Sequence, residues 1–533
     1  MPPRYAHYRG VMSAHYDVVI VGGGHNALTA AAYLARAGRR VIVLERDDHL
    51  GGAAVSERPW PGVDARLSRY SYLVSLLPRT IIDDLDLRLD LRRRRYSSYT
   101  PDPADPSRGV LVDNADAAAT AASFIRTTGD VREAERFSEF SDRLLPLAGA
   151  VFPTVTAPLQ RESALRERVA DGALWDALTR RPLGGLLREG LHTDIARGIA
   201  LTDGLIGTFS WSDDPSLRQN RCFLYHVIGG GSGDWDVPVG GMGRVSAALE
   251  QAARRAGAEL RVNAMVTAVD PGGEVTLASG ETITGRLVLS GVGPAVLERL
   301  IAGSADVPDA QGVPEGAQLK INMLLSRLPR LRDTTVAPEA AFAGTFHVNE
   351  TMTQLDDAHA AATGGGIPQP LPAEIYCHSL TDPSILGPEL QESGAQTLTL
   401  FGLQLPHRLG ADRTSADYRA AVLDAARRSL DAVLAEPIDD CLFLAPDGSA
   451  CIEARTTADL EDSLGMTGGD IFHGPLAWPW ASDDEPLETP AQRWGVATPH
   501  ERVLVCGSGA RRGGAVSGIG GHNAAMAALE LLG

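Results

Sequence analysis

Gly22, Gly23 and Gly24 follow directly on the apolar run Tyr16 to Val21, and a further small residue, Ala27, stands three positions later. A glycine turn at the end of a buried strand lets main chain approach the oxygens of a pyrophosphate, because no Cβ intervenes. Gly22 allows the tight turn, Gly24 admits the phosphate, and Ala27 lets a helix pack closely on the strand. His25 and Asn26 begin that helix, whose free N–H groups and dipole point at the same phosphates. The helix runs from Leu28 to Ala37, and a second strand, Arg40 to Leu44, ends at Glu45. A carboxylate at that point accepts the hydroxyls of an adenosine ribose and disfavours a 2′-phosphate. This strand, turn, helix, strand and acid predict a dinucleotide site without separating a nicotinamide from a flavin.

The C-terminal end repeats the theme. Arg502 to Cys506 reads as a buried strand, and seven glycines follow between Gly507 and Gly521, Gly509 and Gly518 among them. So many glycines cost chain entropy. They are expected where main chain lies flat against a ligand and a second helix N-terminus aims at it. An interdomain hinge is the plainer alternative.

The stretch after Glu45, with Arg46, Gly51, Gly52 and Ala53, resembles the corresponding segment of the flavin-dependent amine oxidase and phytoene desaturase superfamily. The closing glycines, with Val516, Gly518, Gly521 and Asn523, resemble that family's final motif, although Arg512 stands where relatives often carry proline. Gly240 to Gly243 resembles its internal GGMG stretch, and Val266 matches the residue that touches adenine through its backbone. Within the superfamily the chain is similar to the group of pyridine nucleotide-disulfide oxidoreductase domain-containing protein 2. The resemblance implies noncovalently bound FAD, with Arg46 beside the adenosine or phosphate, and with Arg511 and Arg512 adding charge near the phosphates or the substrate entrance.

Flavin chemistry makes a catalytic side chain optional, since the protein supplies position, dryness and charge. By the same resemblance His473, within Gly465 to Leu476, lies beside the flavin. Tyr376 and His378 sit at a strand end and are the other catalytic candidates. Trp478, Trp480 and Lys320 are the substrate-side candidates, with sheet packing the alternative for the tryptophans and a surface position for the lysine. No acidic amine-binding cage is recognisable. The expected activity is FAD-dependent dehydrogenation or desaturation of an apolar or mixed-polarity small molecule. Isomerisation without net redox change and a flavin-bound interaction protein are the alternatives. The electron acceptor is left open among oxygen, a quinone and a redox protein.

The elements that hold these residues imply an α/β fold. A Rossmann-like FAD-binding domain, built from 14–75, 229–295 and 496–533, interleaves with an α+β substrate domain of mixed sheet and helices, built from 76–228 and 296–495. The alternation from Leu85 to Leu91 predicts a half-buried strand running into Arg92, Arg93, Arg94 and Arg95, read as a solvated edge. Lys320 to Leu325 and Thr397 to Leu403 predict strands of a second sheet.

The 533 residues, 44% hydrophobic and 22% charged, are globular in composition and long enough for two domains. The net charge of −18 disfavours nucleic acid and anionic membrane as partners. Five scattered cysteines make no CxxC pair, which argues against a disulfide framework or a zinc site, and no metal is expected. Met1 to Ala14 lacks the apolar core of a secretory signal, and no run of about eighteen apolar residues predicts a spanning helix. A cytoplasmic protein is expected, with peripheral membrane contact and a homo-oligomer both compatible.

Overall fold

The computed structural model describes residues 15–303, 314–411 and 414–533; the reading of Met1 to Ala14 lies outside them. Two seven-stranded sheets organise the chain, each drawn from widely separated stretches. In the first, His15–Val21 lies between Val41–Leu44 and Thr282–Ser290, all parallel, with Val19 opposite both Ile42 and Val288. Glu259–Arg261 extends one edge in parallel, and Val503–Val505 pairs in parallel with Thr282–Ser290. Val266–Val269 and Glu274–Leu277 complete it antiparallel. Val18, Val19, Ile20, Ile42 and Val288 are wholly buried, as parallel strands covered on both faces require. Helix His25–Arg36 packs against helices Gly243–Ala256 and Ile519–Leu532.

The second sheet is mixed, in the order Ile452–Arg455, Leu319–Leu325, Gln396–Gly402, Ala373–Tyr376, Thr345–Val348, Tyr96–Asp102 and Asp105–Asp113. Thr345–Val348 runs parallel to Tyr96–Asp102, and the other neighbours are antiparallel. Helices between Glu133 and Ile228 gather around Trp175 and form a cap with its own core. A Rossmann-like unit and a mixed α+β unit thus share one interleaved chain, as the sequence predicts. No helix among the described residues is long and apolar enough to cross a membrane.

The strand expected over Leu85 to Leu91 is not formed. Arg79–Asp84 is helical, Asp86 turns the chain at φ 48°, and strand structure begins only at Leu91–Arg93, which pairs with Asp236–Pro238. Leu85 and Leu87 are buried in the first sheet's core without a ladder partner. The period-two pattern records burial of alternate leucines, not sheet pairing.

Candidate functional site

The first strand ends at Val21, and the helix starts after Gly24, which is extended at φ −68°, ψ 170°, with no side chain capping the helix. A Cβ built on Gly24 would meet no heavy atom within 4 Å. The protein leaves room at a bare helix N-terminus, where an anion is favoured. Glu45 is buried, and its carboxylate is fixed by the Gly23 N–H at 2.6 Å and the Asp47 N–H at 2.9 Å, so its remaining lone pairs stay aimed. Asn26 Oδ1 is buried without a partner, and helix Ile519–Leu532 also starts without a side-chain cap. Open space, the bare end of helix His25–Arg36 and a fixed acid suit a dinucleotide's phosphates and ribose.

Gly51 and Gly52 lie on this turn: the Gly51 N–H donates to the Gly23 carbonyl at 3.0 Å, and a Cβ on Gly52 would stand 3.2 Å from the Gly24 Cα. Val266 opens its short strand opposite Leu277. Arg46 instead reaches the Ser463 carbonyl at the end of helix Thr457–Leu464, so its guanidinium is engaged by protein.

The closing glycines are bare for a different reason from the one expected. A Cβ on Gly507 would lie 2.6 Å from the Gly291 carbonyl oxygen, one on Gly509 2.4 Å from Pro294, and one on Gly521 1.8 Å from the Asn26 carbonyl oxygen. Protein packs on protein there, and no ligand is needed to exclude side chains. Asn523 is engaged by the Val155 carbonyl at 3.0 Å and by His522 at 2.9 Å. Arg512 does not charge the entrance: its buried guanidinium donates to the carbonyls of Thr154, Ala157 and Trp494. Arg511 pairs with Glu485 at 2.7 Å.

A cavity of about 550 Å³ runs from this end toward the second sheet. His25, Ala53, Ser508 and Gly514 to Val516 line its dinucleotide side. Leu76, Phe140, Ile199, Phe223 and Leu476 give it apolar walls. The second sheet contributes one cross-strand row: Lys320 stands opposite Phe401, Phe401 opposite Glu374, and Glu374 opposite His347. All four line the cavity, because residues in register on neighbouring strands share a face.

Burial dominates the electrostatics of this row. It lowers the Lys320 ammonium to about 7 and His347 to about 3, and raises the Glu374 carboxyl. Lys320 Nζ donates to the Tyr70 carbonyl at 3.1 Å and lies 4.3 Å from the centre of the Tyr72 ring. The Tyr72 hydroxyl donates to Glu374. Asp203, from the cap, also lines the cavity and is raised by burial to about 7. Four acids line the cavity, Asp142, Asp203, Asp234 and Glu374, and burial raises two of them, Asp203 and Glu374, which the sequence does not mark as a group. Glu374 and Asp203 are far apart along the chain, and the only local signal is a charge inside the apolar stretch Ala373 to Tyr376.

The other candidates fall outside the cavity lining. His473, held at φ 60°, lies against Gly293 and Gly509, and burial lowers it to about 4, so it is neutral near pH 7. Tyr376 lies behind the wall, its ring 6.2 Å from that of Tyr72 and its hydroxyl donating to Thr381. His378 faces Asp382 at 3.4 Å. Trp478 and Trp480 stack on each other at 5.1 Å, and Trp480 packs on Trp175 at 4.6 Å. The tryptophans serve the core of the cap, and neither lies in a strand. Lys320 is buried, not a surface lysine. Asp130, Glu133 and His192 also converge, but Arg136 already bridges both carboxylates at 2.8 and 2.7 Å.

Comparison with known proteins agrees with this architecture. Residues 79–327 match the family described as flavin containing amine oxidoreductase, and residues 20–81 match the NAD(P)-binding Rossmann-like domain. The chain is 52% identical to an uncharacterised protein of Mycobacterium tuberculosis, over 98% of this chain and 99% of that one. It is 31% identical to pyridine nucleotide-disulfide oxidoreductase domain-containing protein 2 of Rattus norvegicus, over 97% and 94% of the two chains. Its fold is similar to that of putrescine oxidase bound to putrescine, with a TM-score of 0.57, 16% identity, and coverage of 97% and 99%.

Proposed function

The chain belongs to the flavin-containing amine oxidoreductase superfamily, and we propose that it dehydrogenates a small molecule of mixed polarity. Its cofactor is FAD, with Gly24, the N-terminus of helix His25–Arg36 and Glu45 as the residues that would hold the phosphates and ribose. Bound FAD supplies the acceptor for a hydride.

One observation carries the reading: a single cavity joins the dinucleotide side, at His25, Ala53 and Gly514 to Val516, to the row of Lys320, Phe401, Glu374 and His347. Its apolar walls would orient a hydrocarbon body and exclude water. Its polar row would fix a functional group. A substrate without polar atoms would leave Lys320, Glu374 and Asp203 desolvated with nothing gained, which argues for mixed polarity over a plain hydrocarbon. Lys320, with its ammonium lowered to about 7, can take a proton at Nζ near neutral pH.

The test is anaerobic mixing of the flavin-loaded protein with a panel of amphipathic alcohols, acids and amines. Bleaching of the visible flavin bands, with a product lacking two hydrogens, is expected from at least one compound. A product of unchanged mass, or no bleaching across the panel, would overturn dehydrogenation.

A further inference from the structure

Arginines 92 to 95 divide sharply once folded. Arg92 lies 3.6 Å from Asp90, Arg93 pairs with Asp234 and Asp236, and Arg95 pairs with Asp113 at 2.9 Å. Among the described residues Arg94 forms no ion pair. It turns inward and lines the cavity. One terminal nitrogen donates to Thr345 Oγ1 at 3.0 Å, its guanidinium carbon stands 5.4 Å from the centre of the Tyr376 ring, and its buried Nε has no partner.

A second orphan stands beside it. Ser98 is opposite Thr345 in the sheet, lines the same cavity, and its buried hydroxyl also has no partner. A stacked, immobilised guanidinium with unused donors next to a free hydroxyl is an arrangement suited to receive an oxyanion.

The geometry points to a carboxylate on the substrate, received by Arg94 with Ser98 and Thr345. This rests on the proposed dehydrogenase reading and adds the substrate class. Arg93 also lines the cavity but is held by Asp234 and Asp236, so Arg94 offers one unpaired positive charge, which matches a monoanion and only half of a dianionic phosphate. Burial raises Asp203, to about 7, and Glu374, which shifts each toward its uncharged form, and neither forms an ion pair with Arg94. The apolar walls then hold the remainder of an organic acid.

Octanoate, octanol and octylamine are suitable probes, because they share one apolar body and differ in the head group. Binding to the flavin-loaded protein is read by calorimetry. Octanoate is expected to bind best, and Arg94→Gln to weaken it at least about tenfold. Arg94→Lys, which keeps the charge but loses the planar fork, should recover part of the loss. Arg92→Gln should leave octanoate binding unchanged, and thermal melts check that each variant folds. Tighter binding of octylamine or octanol, no binding by any probe, or unaltered octanoate affinity in Arg94→Gln would each overturn the assignment. The two proposals fail separately: substrates that bleach the flavin without needing a carboxylate would leave dehydrogenation standing. Octanoate bound through Arg94 in a protein whose flavin nothing reduces would leave only the anion site.

Discussion

Lys320 and Glu374 both stand opposite Phe401, one on each neighbouring strand, so one strand separates a buried amine from a buried acid. Two strand spacings place their backbones roughly 10 Å apart, and Tyr72 links them, its ring 4.3 Å from Lys320 Nζ and its hydroxyl donating to Glu374. Each is desolvated without full compensation, and each moves toward its neutral form: Lys320 downward, Glu374 upward. An amine lowered to about 7 and an acid raised above its ordinary value share one cavity, and their titration gives opposite signs to test.

For Lys320 the reactive form is the free amine, so anaerobic flavin reduction is expected to rise as pH passes through about 7. Lys320→Met should slow reduction by about 100-fold and flatten this profile. Stability follows the same group. Between about 7 and 10.5 the unfolded chain holds a proton that the folded one does not, so folding stability rises with pH in that window. Chemical denaturation across the range should show Lys320→Met losing that slope; an unchanged slope would mean the amine is not desolvated.

Glu374 has the opposite linkage. Its folded value lies above the ordinary 4.5, so its contribution to stability is complete below 4.5 and lost as pH rises through the folded value. Glu374→Gln mimics the protonated acid and can still accept from Tyr72. It is expected to be more stable than the wild type at about pH 8 and to lose that advantage near pH 4.5, as read by urea midpoints.

Gly24→Ala separates cofactor binding from folding. The position is extended with φ −68°, and the protein offers a Cβ no contact. With FAD removed from both proteins the variant should melt close to wild type, yet it should purify with most of its visible flavin absorbance missing. Full flavin occupancy would show that the phosphates lie elsewhere.

Gly521→Ala should do the reverse. Its Cβ would fall 1.8 Å from the Asn26 carbonyl oxygen, where helix Ile519–Leu532 crosses the start of helix His25–Arg36. A backbone clash of that kind is expected to cost on the order of 3 kcal/mol or more, lowering the urea midpoint whether or not FAD is added.

The dinucleotide unit and the class of fold are legible in the chain itself. Gly22, Gly24, Ala27 and Glu45 act through local geometry: a strand, a turn and a helix of known rise place them relative to one another before any distant contact forms. The same locality makes the second-sheet strands at Lys320 and Thr397 readable. The lining of the cavity is selected by folding. Lys320, Phe401, Glu374 and His347 come from four strands, and their alignment is set by ladder register, which leaves no periodic trace within any one of them. The four arginines are equivalent as text and differ only in which nearby acids the fold supplies. Arg94 is distinguishable once Asp90, Asp113, Asp234 and Asp236 have taken its neighbours. Resemblance puts His473 beside the flavin, and their indoles make Trp478 and Trp480 candidates for a substrate wall. Side-chain direction turns the two tryptophans into packing in the cap, while His473 stands against Gly293 and Gly509 with its Nδ1 unpartnered.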